Sequence, residues 1–348
     1  MRTALLAAAT ALALTLPLAA QEEEPKGAPA PNDIVATAAA SDWVTIPADD
    51  LLVMTLAPDA EGKARQVVIQ LMPAPFSEGW VHNIRLFARA KWYDGISVNR
   101  VQDNYVTQWG DPNYDNPEAT GKPKPLPEGL KVMGEAEYVT PYVYDEPYTL
   151  EVPIPGETQK KETQIAVRRS PTSVRFLSYY NPFKGDSYTN SVGHSSQGWP
   201  VGREAESMWP VHCYGMVGVG RNMSPDTGSG AELYTVIGHA PRHLDRNIAL
   251  VGRVIEGMQH LSSLPRGSGA LGFYAAEEAG KRTSITSVRV ANDLPMTEQP
   301  RFEYLSTESA TFAAYAEAIA NRRDPFFIVP AGGADICNIR VPVRRVAE

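Results

Sequence analysis

The chain has 348 residues, 43% of them hydrophobic and 21% charged, with a formal net charge of −8. That composition is ordinary for a globular protein with material for a sizeable core. The acidic balance, with no basic aromatic patch, excludes nucleic acid as the main partner.

Residues 1–20 read as a secretory leader: Arg2, then an apolar run from Ala4 to Leu18, then Leu18-Ala19-Ala20 as a cleavage site. The run is short for a span of ~20 residues. A retained N-terminal anchor is the alternative. No Cys follows the run, which excludes a lipoprotein signal. A leader cleaved near Ala20 implies a periplasmic or secreted protein with no stable membrane insertion afterwards. Residues 21–48 begin rich in Glu, Pro and Ala and read as a solvated linker.

From Asp49 the pattern becomes β-like. Leu51–Leu56 and Gln66–Leu71 predict strands, joined through turn chemistry at Pro58–Gly62. Val81, Ile84, Leu86, Phe87 and Ala90 predict an amphipathic helix over Glu78–Ala90, and Tyr93-Asp94-Gly95 ends it. Strand patterns follow at Val98–Val101 and Tyr105–Gln108. Residues 112–212 read as a long, less regular insertion, with loop over Pro117–Pro127 and a pair of strands at Glu162–Arg169 and Ser173–Tyr179. The β pattern resumes at Gly215, with strands at Leu250–Val254 and Ile285–Ala291. Between these two, Met258, Leu261 and Leu264 share one face of a short helix that Pro265 ends. Residues 296–348 form an extension expected to pack on the core, with a helix over Ser309–Asn321 capped by Ser309 or Thr307. The main domain is thus residues 49–295.

Three motifs carry no function on this reading. Gly267–Gly272 matches GxGxxG, but a helical pattern and Pro265 precede it where a dinucleotide site needs a strand. Gly193–Gly198 misses the hydrolase GxSxG by one residue and reads as a polar surface turn. His239 and His243 are separated by Pro241, which prevents a helix from aligning them as metal ligands. The acids Glu277-Glu278 read as solvated surface. Cys213 and Cys337, in an exported chain, leave two alternatives open: one disulfide, or two independently buried thiols.

One ordered constellation remains. Tyr93-Asp94-Gly95 is followed by Arg100, Tyr105, Val106, Gln108 and Gly110-Asp111; later come Gly215-Met216, Glu232-Leu233-Tyr234, Leu244-Asp245 and Gly252 to Gly257-Met258. This series resembles the cyclophilin-type peptidyl-prolyl isomerases over Leu51–Asp293. The resemblance implies a mainly β fold: a closed antiparallel eight-stranded barrel capped by two helices. It implies catalytic roles for Arg100 and Gln108. It also implies substrate contacts at Tyr105, Val106, Gly220, Arg221, Glu232, Tyr234, His243, Leu244 and Ile248. The sequence departs from the family pattern at Trp109 (usually Gly), Arg221 (Asn), Glu232 (Gln), His243 (Trp) and Ile248 (His).

The implied chemistry is rotation about an Xaa-Pro amide, whose barrier comes from C–N resonance of ~18–20 kcal/mol. It needs no cofactor or metal, only tighter binding of the twisted amide than of the planar one. The expected partners are unfolded or loop-exposed proline-containing polypeptides, and the expected role is to assist folding of exported proteins. The alternative is a cyclophilin-fold chaperone or binding module without catalysis, favoured by the exchanges at 109 and 232.

Overall fold

The computed structural model describes residues 27–113, 119, 121–141, 143–144, 148–153, 160–169, 175–178 and 186–346. The expected leader and residues 21–26 lie outside them. Eight strands build the main sheet: β1 (Leu51–Leu56), β2 (Arg65–Leu71), β3 (Ser97–Val101), β4 (Val106–Gly110), β5 (Met216–Val219), β6 (Leu233–Val236), β7 (Leu250–Glu256) and β8 (Ile285–Val290). Their order is β8-β1-β2-β7-β5-β6-β4-β3, and every pairing is antiparallel.

The outer strands β3 and β8 approach one another at one end, where Gly95 N donates to Ile285 O (2.9 Å), Ile285 N to Ile96 O (2.8 Å) and Val98 N to Thr283 O (2.9 Å). The barrel is therefore nearly closed rather than fully closed. Further along, the loop at Phe273–Tyr274 takes over, with Tyr274 N bonded to Asn99 O at 3.0 Å. The intruding loop leaves β3 without a partner strand on that side.

Alternation along the strands sends Leu52, Met54, Val67, Ile69, Val98, Trp109, Val217 and Val251 into the main core. Helix α1 (Glu78–Arg89) closes one end of the barrel with Trp80, Ile84 and Phe87, none of them exposed by more than 1%. Helix α2 (Gln259–Ser262) is a single turn that buries Leu261. Among the described residues, no helix is long and apolar enough to cross a membrane.

Four expectations are corrected. Residues 31–48 are not a solvated linker. Pro31–Ala36 is helical and Trp43–Thr45 pairs with Phe302–Leu305, which in turn pairs with Val343–Arg345. Ile34, Val35 and Trp43 pack on a second core formed by Phe302, Leu305 and Phe312 against the outer faces of Leu51, Val53 and Val68. Helix α3 (Ala310–Ala320) belongs to this layer, and Ser309 Oγ caps it by accepting from Phe312 N at 3.0 Å. The apolar residues before Asp49 are sparse, and only distant partners turn them into core.

The insertion is more regular than its sequence suggests. Its strands join into one antiparallel sheet that runs from Thr140–Pro141 through Ser207–Pro210, Pro200–Glu204, Ser191–Ser195 and Arg175–Ser178 to Lys160–Arg169. Accordingly, Gly193–Gly198 is no polar surface turn: His194 and Ser195 are 3% and 0% exposed. Glu278 is also buried rather than solvated, accepting from Ser268 N, Ala275 N and Lys281 Nζ.

His194 makes a pH prediction. Burial holds its imidazole down at about 4, against a small opposing effect of its bond to Ile339 O and with Arg253 lowering it further. Between pH 4 and 6.5 the unfolded chain binds a proton that the folded chain refuses, so stability rises with pH through that window. Acidification from above 6.5 to 4 is expected to remove about 3 kcal/mol through this residue. Urea midpoints measured across that range should slope less steeply in His194→Gln than in the unaltered protein.

Candidate active site

The site begins with a cross-strand row on the outer face of the barrel. Arg100 on β3 lies opposite Gln108 on β4, Gln108 opposite Tyr234 on β6, and Tyr234 opposite Gly218 on β5. A shift of register between Val98 and Arg100 re-aims the end of β3. The β3–β4 hairpin turns at Asn104, whose φ of 51° suits Asn better than most residues. Asn104 Oδ1 accepts from His239 N at 2.9 Å, and a Cβ on Gly238 would stand 2.2 Å from the Asn104 carbonyl carbon. The hairpin tip is therefore seated on the 238–239 backbone, and Tyr105 and Val106 are held with it.

Arg100 is gripped on three sides. Its Nε donates to Leu271 O (2.7 Å), one Nη to Gln108 Oε1 (3.1 Å) and the other Nη to Gln102 Oε1. The guanidinium lies over the rings of Tyr105 and Phe273, 5.7 and 5.4 Å from their centroids. Burial lowers its pKa below the ordinary value, partly offset by Tyr105 and Tyr234, and it stays a cation. A desolvated cation with a fixed orientation interacts strongly with any dipole placed beside it.

Next to it lies an apolar cluster of Val106, Tyr234 and Val236, with Tyr105 and Ile248 packed against it. Together they form a cleft of about 260 Å³ whose lining includes Arg100, Tyr105, Val106, Gln108, Gly220, Arg221, Glu232, Tyr234, Leu244 and Ile248. The structure thus brings ten of the eleven candidate residues together. His243 is exposed and stands at the rim, its ring parallel to that of Tyr105 at 6.4 Å. Arg221 lies along the opposite rim, donating to Asn247 O and Asn222 O. Trp80 Nε1 and Asn83 Nδ2 hold the 227–229 segment that lines the cleft, donating to the carbonyls of Thr227 and Ser229.

Sequence reasoning missed Leu271, Phe273 and Gln102. The first two belong to the Gly-rich loop that had been set aside as a failed nucleotide motif. Its packing on Arg100 has no local signal, because 171 residues separate Leu271 from the side chain it holds.

Of the exchanged residues, Trp109 points inward and is 1% exposed, so it is barrel core rather than cleft. Glu232 accepts from Gln108 Nε2 at 3.2 Å and so reaches Arg100 through Gln108. Gly110 makes room for it, since a Cβ there would stand 2.0 Å from Glu232 Oε1. Gly110→Ala is expected to displace Glu232 and, with it, Gln108, lowering kcat/KM by about tenfold, or ~1.4 kcal/mol, while the barrel stays folded. Steady-state assays with circular dichroism as a folding control would test this.

The sheet order, the α1 cap and this cleft define a cyclophilin-like barrel. Residues 65–290 match the model of the family described as cyclophilin type peptidyl-prolyl cis-trans isomerase/CLD. The chain belongs to that family and is a peptidyl-prolyl cis-trans isomerase. Among solved structures it resembles the cyclophilin AquaCyp293 from Hirschia baltica, with a TM-score of 0.58 and 19% identity over 87% of this chain and 93% of that one. A cyclophilin type peptidyl-prolyl cis-trans isomerase from Cryptosporidium parvum aligns at 12% identity and a TM-score of 0.35 over 69% of this chain and 96% of that one. No curated protein matches the chain.

Proposed function

We propose that this isomerase acts at the Arg100 cleft on Xaa-Pro bonds of exported polypeptides and assists their folding. The observation that carries the reading is the placement of the fixed Arg100 guanidinium beside the Val106–Tyr234 pocket. A prolyl ring seated against Tyr105, Val106, Tyr234 and Leu244 brings its amide nitrogen toward Arg100. Twisting the amide frees the nitrogen lone pair, and a guanidinium N–H directed at it stabilises the twisted state more than the planar one. Gln108, itself oriented by Arg100 and Glu232, bonds the substrate backbone. Arg221 and His243 at the rim select among flanking residues.

The export part of the reading is supported by the leader pattern in residues 1–20 and by the disulfide between Cys213 and Cys337, a bond that persists in oxidising compartments. The test is an isomerisation assay on short Xaa-Pro peptides, comparing the protein with Arg100→Ala. Cell fractionation with N-terminal sequencing tests export: a mature N-terminus near Gln21 is expected, and full-length chain in the cytoplasm would refute it.

A further inference from the structure

The insertion reaches the cleft through a buried chain of polar contacts that the isomerase chemistry does not use. At its end stands His212, 0% exposed. One ring nitrogen, Nε2, lies 2.9 Å from the Tyr234 hydroxyl, and the other, Nδ1, lies 2.9 Å from Asp245 Oδ1. The backbone N of His212 also donates to Asp245 Oδ1, at 2.9 Å. Asp245 Oδ2 accepts from Arg242 Nε at 2.7 Å, and Arg242 pairs in turn with Asp186 at 2.9 Å and lies over the Tyr188 ring at 5.1 Å. Arg242 and Asp245 are 4% and 6% exposed.

Each end of this chain holds a different wall of the cleft. Tyr234 is the β6 wall, and its ring is fixed between the hydroxyl contact and Gly218, where a Cβ would come within 2.4 Å of it. Asp245 follows Leu244, the wall supplied by the 242–248 turn. His212 bonds to both, and it belongs with Asp186 to the insertion. Donation from Nδ1 to the carboxylate leaves Nε2 to accept the phenol proton, so a neutral imidazole satisfies both partners. Burial holds the Tyr234 phenol well above its ordinary pKa, with Tyr105 and Asp245 adding to the effect, so the array orients the ring and does not ionise it.

We infer that His212 is a positioning residue through which the 112–212 insertion sets the width of the proline pocket. The inference rests on the Arg100 cleft being the place where isomerisation occurs. A prolyl ring occupies the pocket in the cis, trans and twisted states alike, so loosening the walls weakens all three equally. The expected signature is a raised KM with kcat preserved, which partial unfolding would not produce, since loss of folded enzyme lowers kcat at constant KM.

The experiment is steady-state prolyl isomerisation on one Xaa-Pro peptide by the full protein and its His212→Ala, Tyr234→Phe and doubly substituted variants. KM is expected to rise about threefold in Tyr234→Phe and about tenfold in His212→Ala, with kcat within about twofold of the starting value. The double variant should match His212→Ala rather than multiply the two effects, because both remove one interaction. Tyr234→Phe keeps the ring and the fold, so it decides the matter even where His212→Ala does not fold. An unchanged KM in Tyr234→Phe, or multiplied effects in the double variant, overturns the inference. Arg100→Ala in the same assay separates the two failures: retained activity there removes the cleft assignment, whereas lost activity with an unmoved KM at Tyr234 removes only the role of His212.

Discussion

Arg100→Ala is expected to lower kcat/KM on Xaa-Pro peptides by ~10²- to 10³-fold, the usual loss when one fixed donor at a reacting centre is removed. That corresponds to about 2.7–4 kcal/mol of transition-state stabilisation. The size of the effect follows from preorganisation. Leu271 O, Gln108 and Gln102 hold the guanidinium in place before substrate arrives, and Tyr105 and Phe273 cover its faces. Little reorganisation is left for the reaction step. The variant also frees Gln108, which loses one of its two described side-chain partners. Arg100→Lys should recover little, because an ammonium is a single point and cannot bond three acceptors spread around a plane. The loss should fall mainly on kcat, in contrast to the KM effect expected at His212. A folded Arg100→Ala protein within threefold of full activity would place the chemistry elsewhere.

The second large effect is expected at the disulfide. Cys213 and Cys337 are separated by 124 residues, and the bond joins the start of the barrel's second half to the C-terminal layer. Closing a loop of that length restricts the unfolded chain and contributes about 3–5 kcal/mol. Replacing both cysteines by serine should therefore lower Tm by about 5–10 °C for a protein of this size. Limited proteolysis should begin in the 296–346 layer, which is then held without a covalent tie, by packing around Phe302, Leu305 and Phe312, by pairing with Trp43–Thr45 and by bonds such as Thr307 Oγ1 to Ser195 O. Thermal unfolding of the protein with and without reductant gives the same comparison without substitution. If the thiols are shown to be free and Tm does not move, the bond does not contribute to stability.

How much of this was legible beforehand can be judged from particular residues. Leu51–Leu56, the helix expected over 78–90 and the strands at 98–101 and 105–108 were read from residues adjacent in the chain, because alternation and helical spacing are local signals. The candidate residues of the cleft were legible only through the ordered resemblance. Taken singly, an arginine in a strand or a Tyr-Val pair carries no functional signal. Within the insertion the strand pair expected at 162–169 and 173–179 is present as Lys160–Arg169 against Arg175–Ser178, but the rest of its sheet was not read, for another reason. Its strands are short and its sheet pairs segments as distant as 140–141 and 207–208, so no window of sequence contains both sides of a pairing. Glu278 and His194 were misread as surface because a polar side chain does not announce that its hydrogen-bond partners will enclose it.

By itself, then, the sequence determined the main strand and helix segments of the barrel and narrowed the α3 cap to Ser309 or Thr307. These depend on backbone preference and on the two-residue period of a strand, and both act within a few residues. The tertiary structure alone decided that Leu271 and Phe273 hold Arg100, that Ile34, Val35, Trp43 and Ile46 join the second core, that Gly110 makes room for Glu232, and that His212 lies between Tyr234 and Asp245. Each of those contacts joins segments far apart in the chain, and burial and hydrogen bonding depend on which surfaces meet, whatever their distance in sequence.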